Sequence, residues 1–385
     1  MLKITELGRT KTAAKKTYIN SFIFIITMWL LSRLVIIVVM HLIAPAIVPD
    51  AVQSDPKFVL EGGWERFDGW DGYWYKDIAT VGYEYADDNA KHSIAFFPLF
   101  PLLTRGVMSL GLPFAIAGTI VNSTAFLGAL LIAYRWVEAR HGASAARWVI
   151  ALLAWCPFSI FGLLTYTEGL FLLLSTVALQ AFDNRQYGKA ALFGALTTAT
   201  RITGAPLMPA FLLVAWRERR GAIACVTAFA TLGGLLLFSA YCAIRFGNPL
   251  AFVHAQRGWQ AHTGFNLTGW WNLLTQDLLL RNGASTAMIA LTKVVAFFGG
   301  IYLLWYSRAK ISRVAIAYGF CSVAMIITSG SVLSIERFVY AIVPISIALG
   351  LLLSHHPNWG YATIGLFFLM LIYYSMRSSW GLWIG

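Results

Sequence analysis

The chain has 385 residues, of which 58% are hydrophobic and 12% are charged, and its formal net charge is +12. A mean hydropathy of +0.68 and repeated long apolar runs indicate an integral membrane protein and exclude a soluble protein with one large core. The basic residues are scattered among short loops, so membrane orientation explains the positive charge, and nucleic acid is not expected as a partner.

The N-terminal segment, residues 1–17, is predicted to be a cytoplasmic tail because it has five basic residues and one acidic residue, Glu6. The apolar run 18–48 behind it is too long for the core of a cleaved signal peptide and lacks a small-residue cleavage site. We therefore expect 18–48 to be a retained first transmembrane helix, with membrane lipids as its surroundings.

The next segment, 49–92, is predicted to be an extracytoplasmic loop, and it holds ten of the 17 acidic residues between Asp50 and His92. Tyrosines and tryptophans are interleaved with the carboxylates, as in RFDGWDGYWY (66–75). An aspartate followed by glycine just outside a span can be partly desolvated and act as a general base toward a hydroxyl. Aromatic rings offer apolar faces to a sugar. An interfacial aromatic belt with solvated acids is the alternative interpretation.

Residues 93–376 are predicted to form a multi-span bundle with an extracytoplasmic loop at 245–285, and 377–385 a C-terminal tail. Hydropathy places further spans near 113–134, 148–164, 168–182, 190–216, 221–244, 287–306, 314–333, 338–353 and 359–376. The segment 93–112 carries two prolines and Arg105, so it is predicted to be re-entrant or interfacial. The fold class is an all-α polytopic membrane protein with about nine to eleven transmembrane helices.

Counting of basic residues predicts how the loops are arranged. The segments 217–220 and 308–313 are expected on the cytoplasmic side, so that 245–285 and 334–337 face the same outer side as the acidic loop. The segment 135–147 is also basic and is therefore expected on the cytoplasmic side as well. For both segments to lie on that side, the apolar run 190–216 must reverse direction. The sequence RITGAP (201–206) is the predicted break.

Five charged residues lie within apolar runs, where each costs roughly 2.5–3.5 kcal/mol near a helix centre and is expected to face a cavity or a partner. Two of them, Glu168 and Arg201, sit at breaks, and an arginine there could bind a phosphate by a two-pronged contact. For Arg33 and Lys293 an internal ion pair is favoured. The fifth is Arg105.

Several short segments, taken together, resemble the PIG-V family of mannosyltransferases. In chain order they are WDGYWY (70–75) with Gly82-Tyr83, AFFPLFPLL (95–103), YTEGLFLL (166–173), ATRITG (199–204), PLAF (249–252) through Trp259, and ERF (336–338). They cover most of the chain from Trp70 to about Pro344. The family's motif has serines where this chain has Thr167 and Gly169.

The resemblance implies a GT-C fold and an inverting transfer of mannose from a polyprenyl phosphate, typically dolichyl-phosphate mannose, to a hydroxyl of a glycolipid or glycan acceptor. It implies an active site that faces away from the cytosol, with the N-terminus cytoplasmic. In eukaryotic members the acceptor is a glycosylphosphatidylinositol precursor. This chain is shorter than those members, so a bacterial inner or plasma membrane is favoured over the endoplasmic reticulum.

By the same resemblance, Asp71 is expected to be the general base, with Asp68 as second choice. The donor phosphate is expected to bind Arg201, Arg257 and Arg337, and the sugar or acceptor to bind Glu168, Tyr166, Trp74 and Glu336. No cofactor or metal is expected, because a lipid phosphate leaving group needs no chelating metal and the sequence has no HExxH motif or glycine-rich phosphate loop.

Two other functions stay open at this point. A transporter or flippase of a lipid-linked or small polar substrate would also use broken helices and charges within the membrane. Its expected sign, paired broken segments in two related halves, is not found in the sequence. A GT-C transferase of a different sugar is the other alternative, because nothing in the sequence indicates which sugar hydroxyls are recognised.

Overall fold

The computed structural model describes residues 2–54, 62–259, 264–279, 281, 283–330 and 332–384, so parts of the predicted loops 49–92 and 245–285 lie outside the described residues. Within these ranges it contains no strand, as the sequence predicts. Its α-helices are α1 (Leu2–Val38), α2 (Ala44–Ala46), α3 (Asp50–Gln53), α4 (Asp71–Thr80), α5 (Leu99–Met108), α6 (Phe114–Trp155), α7 (Glu168–Asp183), α8 (Tyr187–Thr200), α9 (Leu207–Arg217), α10 (Ala222–Ala230), α11 (Gly233–Phe246), α12 (Ala251–His254), α13 (Leu267–Asn272), α14 (Ala284–Tyr306), α15 (Arg313–Thr328), α16 (Ile335–Tyr340), α17 (Val343–His355) and α18 (Pro357–Ser379).

The protein is an all-α polytopic membrane protein. In the described part of the chain, four helical segments are long and apolar enough to cross a membrane: Ile19–Ala46, Phe114–Trp155, Ala284–Tyr306 and Pro357–Ser379. Helices α10 and α11, bent by 43°, make a fifth if they count as one span. Other predicted spans form shorter apolar helices such as α9 and α17, because prolines at or near their first residues interrupt the apolar runs.

Helix α6 joins two predicted spans, 113–134 and 148–164, across a kink. The kink lies at Gly142, whose φ of 81° and ψ of 170° are accessible mainly to glycine. The helix ends at Trp155, just before Pro157, and a buried 3-10 turn, Pro157–Gly162, follows. The chain from this turn to α7 is therefore irregular backbone enclosed by protein, a setting in which such backbone is tolerated at membrane depth.

The predicted break in the run 190–216 is confirmed. Helix α8 ends at Thr200, and α9 begins at Leu207. Both ends of this run lie beside Phe182 of α7: α8 starts directly after α7, while Arg220, just beyond α9, donates a hydrogen bond to the Phe182 carbonyl oxygen (2.6 Å). Phe211 of α9 also stacks on the Phe182 ring at 3.9 Å between centroids. The chain thus reverses direction at the break, as the loop charges require.

Charged loops gather at the two ends of α7, which begins at Glu168 and ends at Asp183. At the Asp183 end, Arg140 pairs with Asp183 (2.5 Å), and Arg313 pairs with Glu218 (3.2 Å). These are the segments predicted to be cytoplasmic. The acidic loop and α16 meet at the Glu168 end, so the segments predicted to share the outer side do lie together.

Candidate active site

Five residues singled out in the sequence meet at the Glu168 end of the bundle: Asp71, Tyr166, Glu168, Arg201 and Arg337. Nη2 of Arg337 lies 2.8 Å from Oδ2 of Asp71, and its Nε lies 2.8 Å from Oε1 of Glu168. The same Glu168 oxygen pairs with Nη1 of Arg201. Asp71, Arg337, Glu168 and Arg201 therefore form one line of alternating charge, which we call the ion-pair network.

Asp71 is placed by a sharp turn at the start of α4. The preceding residue, Trp70, has φ 57° and ψ −110°, a strained conformation for a residue other than glycine. Asp71 is then the first residue of α4, where the helix dipole favours a carboxylate. The next residue must be small, because a Cβ at Gly72 would lie 2.4 Å from Oγ1 of Thr165.

The Asp71 turn and the segment before α7 are joined by hydrogen bonds. The backbone N–H of Thr165 (3.1 Å) and its hydroxyl (2.9 Å) both donate to the carbonyl oxygen of Phe67. The Asp71 N–H donates to the hydroxyl of Tyr166 (3.4 Å). Two of the family-like segments, 70–75 and 166–173, are therefore parts of one structural unit.

Glu168 is the first residue of α7. The segment that leads into α7 is held in place by Asn122 of α6. The Asn122 side-chain amide donates to the carbonyl oxygens of Phe161 and Leu164 (2.7 Å each) and accepts from the Gly169 N–H (2.7 Å). A Cβ at Gly169 would lie 2.2 Å from the Asn122 carbonyl oxygen. This contact explains why glycine rather than serine follows Glu168. The sequence reasoning missed Asn122, although a polar amide inside the apolar run 113–134 was an available signal.

Arg201 lies at the break between α8 and α9, where its backbone is extended, with φ −158° and ψ 146°. Its guanidinium lies 5.2 Å from the ring centroid of Phe338 and 6.0 Å from that of Phe171. Because the helix is interrupted at Arg201, its side chain does not lie on a helix face and can reach Glu168.

Arg337 occupies the middle of the ion-pair network, on the short helix α16. Its guanidinium lies 5.2 Å from the ring centroids of both Phe161 and Tyr166. Burial alone would lower the pKa of Arg337, but the carboxylates of Glu168 and Asp71 outweigh it and raise that pKa. Arg337 thus stays charged and holds both carboxylates in place.

Burial distinguishes the two carboxylates of the network. The Glu168 side chain is fully buried, whereas that of Asp71 is 17% exposed. Asp71 therefore has side-chain surface that an incoming hydroxyl can contact, whereas Glu168 has none. The geometry therefore offers Asp71 as a proton acceptor and Glu168 as the group that holds Arg201 and Arg337.

Asp68, the second-choice base, lies apart from the network. Its buried carboxylate is 3.7 Å from Nζ of Lys76, and desolvation raises its pKa to about 6 despite that ammonium and the neighbouring Thr165. Its nearest cation is therefore on the surface of α4 and not one of the two network arginines.

Trp74 and Arg257 lie in a neighbouring aromatic region. The Trp74 ring stacks with Phe96 (6.0 Å) and meets Trp259 edge-on (5.5 Å). Arg257 is 56% exposed and lies 3.9 Å from Asp87 of the acidic loop. The segment Ala255–Trp259 thus packs beside α4, but the Arg257 side chain is paired with Asp87 and not with the network.

Arg33 and Lys293, the arginine and the lysine that we expected in internal ion pairs, differ in their surroundings. Arg33 is buried, donates to the Ser159 carbonyl oxygen (2.9 Å) and lies 4.6 Å from the Phe126 ring centroid. No carboxylate of the described residues lies within 4.0 Å of it, so the expected ion pair is replaced by a carbonyl and a ring. Lys293 is buried on α14 and interacts electrostatically with Glu336 of α16.

Several solved structures are similar to this chain. The oligosaccharyltransferase of Archaeoglobus fulgidus, crystallised in complex with zinc and sulfate, matches with a TM-score of 0.50 and 13% identity over 93% of this chain and 54% of its own. ArnT from Cupriavidus metallidurans, bound to undecaprenyl phosphate, matches with a TM-score of 0.49 and 17% identity over 88% and 62%. This chain therefore spans about half the length of the oligosaccharyltransferase.

No protein-family model and no curated protein sequence matches the chain. The likeness to the oligosaccharyltransferase is one of fold, and it confirms the GT-C-like fold expected from the sequence.

Proposed function

We propose that the protein is an integral-membrane glycosyltransferase that moves a hexose, in the first instance mannose, from a polyprenyl-phosphate carrier to a hydroxyl of a glycolipid or glycan acceptor. The observation that carries the proposal is Asp71, a partly exposed carboxylate fixed by Arg337 at one end of a GT-C-like bundle. The fold shared with an oligosaccharyltransferase supports a transferase. The PIG-V-like segments support mannose and the polyprenyl-phosphate donor.

In the proposed reaction, Asp71 takes the proton of the acceptor hydroxyl as that oxygen attacks the anomeric carbon. The bond from the acceptor oxygen to the anomeric carbon forms, and the bond from that carbon to the phosphate oxygen breaks on the opposite face, so the configuration inverts. The carrier phosphate, a monoanion in the donor, leaves as a dianion. The charge that develops on it is the charge that nearby arginines can stabilise.

Arg201, Arg337 and Arg257 are proposed to share that role. The first two already pair with carboxylates, so they would act through their remaining N–H groups. Nη1 of Arg337 is one such group, since it is buried and has no hydrogen bond to a described residue. Tyr166 and Trp74 are proposed to contact the sugar or acceptor, and no metal is required. The site is proposed to face the extracytoplasmic side of a bacterial inner or plasma membrane.

A transfer assay tests this function. The protein is reconstituted in liposomes with polyprenyl-phosphate mannose carrying labelled mannose, and a membrane lipid extract supplies acceptors. We expect labelled product with inverted anomeric configuration. Absence of transfer to any lipid or glycan acceptor contradicts the proposal. Transfer only from a polyprenyl phosphate that carries another hexose shows that the transferred sugar is not mannose.

One observation favours the rival transporter or flippase function. Two interrupted helix pairs, α8 with α9 and α10 with α11, contact each other near their breaks: the Thr198 hydroxyl donates to the Thr231 carbonyl oxygen (2.7 Å). Adjacent broken helices are typical of transporters. The same liposomes separate the two functions, because movement of labelled lipid across the bilayer without any transfer supports the rival.

A further inference from the structure

An exposed tryptophan lies directly before the proposed base. Trp70 is 44% exposed, and its backbone is held at φ 57° and ψ −110°. This conformation costs free energy in a residue that has a Cβ, and such outliers cluster at active sites and ligand sites. Glycine adopts it without that cost. The presence of a large ring at this position therefore points to a role for the ring itself.

A second tryptophan ring, from the segment after α18, packs against the first. The ring centroids of Trp70 and Trp383 are 4.9 Å apart, and the ring planes are 78° apart. Hydrogen bonds hold the second ring in place: Arg377 donates to the Trp383 carbonyl oxygen (3.2 Å), and the Trp380 indole N–H donates to the Ala44 carbonyl oxygen (2.8 Å). The rings of Trp70 and Trp383 thus form a right-angled arrangement, which we call the tryptophan corner.

Exposure falls from the tryptophan corner to the ion-pair network. Trp70 is exposed, the Asp71 side chain is partly exposed, and Arg337 is buried. The arginine that is proposed to stabilise the donor phosphate therefore lies deeper than Trp70. In an inverting displacement, the acceptor oxygen attacks from the face opposite to the leaving phosphate. The acceptor is therefore expected on the exposed side of Asp71, where the tryptophan corner lies.

Charge and shape indicate the class of ligand for the tryptophan corner. The stretch from Asp50 to His92 has ten acidic and four basic residues, so it disfavours contact with anionic lipid headgroups. A neutral sugar ring meets no such repulsion, and its C–H face packs on an aromatic ring while its hydroxyls stay free at the edge. We propose that Trp70 and Trp383 form a subsite for the acceptor's sugar ring, the one that bears the attacking hydroxyl. This subsite rests on the proposed glycosyltransferase function.

The substitution Trp70→Gly tests the subsite, because glycine removes the ring and suits the backbone conformation. In the transfer assay, labelled polyprenyl-phosphate mannose is held at saturation and the acceptor probe, the membrane lipid extract, is varied. We expect the half-saturating concentration of the extract to rise about tenfold and that of the donor to stay unchanged. Trp64→Ala is the matched control, since Trp64 is 42% exposed in the same loop and packs on Phe67 (5.4 Å between ring centroids). It should change neither concentration.

An unchanged half-saturating concentration of the extract in Trp70→Gly overturns the subsite, and so does a rise for the donor instead. Equal rises in Trp70→Gly and Trp64→Ala also overturn it, because they indicate a general aromatic contact with the bilayer. If Trp70→Gly does not fold, Trp383→Leu must raise the same concentration, and an unchanged value there overturns the subsite. Any of these results with a wild type that transfers label removes only the subsite. A wild type without transfer removes the proposed function and the subsite with it.

Discussion

The carboxylate of Asp71 and the guanidinium of Arg337 lie 2.8 Å apart although 266 positions separate them in the chain. The pair joins the turn before α4 to the short helix α16. Because Arg337 also pairs with Glu168, the position of Asp71 depends on α7 and, through Arg201, on the break between α8 and α9. A single carboxylate at the edge of the bundle is thus held by four separate parts of the fold.

The substitution Asp71→Asn should reduce sugar transfer by about 10²–10⁴-fold, the usual contribution of a general base. Asparagine keeps the size of the side chain but cannot accept the proton, so the protein should remain folded and inserted. Asp77→Asn, at an exposed position of the same helix, is the control and should transfer normally. Near-normal activity in Asp71→Asn would contradict the assignment of the base.

The substitution Arg337→Ala should lower the free energy of unfolding by about 3–5 kcal/mol, because it breaks a buried pair: Asp71 loses its cation, and the fully buried Glu168 keeps only Arg201. Arg337→Lys keeps the charge but has a single nitrogen, which cannot replace the contacts of Nη2 to Asp71 and of Nε to Glu168. Thermal unfolding in detergent measures the stability of both Arg337 variants. The exposed pair formed by Arg257 is the comparison: Arg257→Lys should change stability by less than about 1 kcal/mol. Equal effects at the two arginines would contradict the network.

Two glycines of the GWDG run offer a matched pair of variants. A Cβ at Gly72 would lie 2.4 Å from Oγ1 of Thr165, whereas a Cβ at Gly69 meets nothing within 4 Å. Gly72→Ala should therefore displace α4, cost about 1–3 kcal/mol and reduce transfer, while Gly69→Ala should do neither. Adding Thr165→Ala to Gly72→Ala should restore part of the stability. Equal unfolding temperatures for the two glycine variants would refute the close contact.

The raised pKa of Asp68 predicts that the stability of the protein depends on pH. Its pKa in the folded protein is raised from 3.8 to about 6, so the folded state binds a proton more tightly than the unfolded state. The corresponding stability, up to about 3 kcal/mol, is present below pH 4 and is lost as the pH rises through 6. Asp68→Asn should remove this dependence and be the more stable form at pH 7. Unfolding temperatures measured between pH 4 and 7 decide this, and parallel curves for variant and wild type would contradict it.

Hydropathy and loop charge predicted much of the fold because they act locally. The first span, the helical class and the break at 201–206 follow from apolar length and from basic residues that must share one side. The number of long helices did not follow, since a single proline such as Pro344 limits α17 to Val343–His355 within the predicted span 338–353, which remains apolar overall. Gly142 kinks α6 without ending it, which hydropathy also does not show.

The members of the site could be chosen from short motifs, but their pairing could not. No local pattern in the sequence indicates that Arg337 contacts both Asp71 and Glu168, because ion pairs between distant segments depend on how the helices pack. Asn122 was missed because it lies inside the predicted span 113–134 and its three hydrogen bonds are to backbone groups of distant segments. Arg33 was expected to have a carboxylate partner, but the nearby Ser159 carbonyl and Phe126 ring take that place.

The reversal at the break between α8 and α9 has a consequence for the surrounding lipid. At 1.5 Å per residue, the 14 residues of α8 and the 16 of α7 extend about 21 Å and about 24 Å. Both are shorter than the hydrocarbon layer of a bilayer, which is about 30 Å thick. Arg201 and Glu168 therefore stand below the level of the headgroups, or the lipid thins around them. A substrate anchored by a hydrocarbon tail could then enter sideways, with its reacting end already at the depth of the charges.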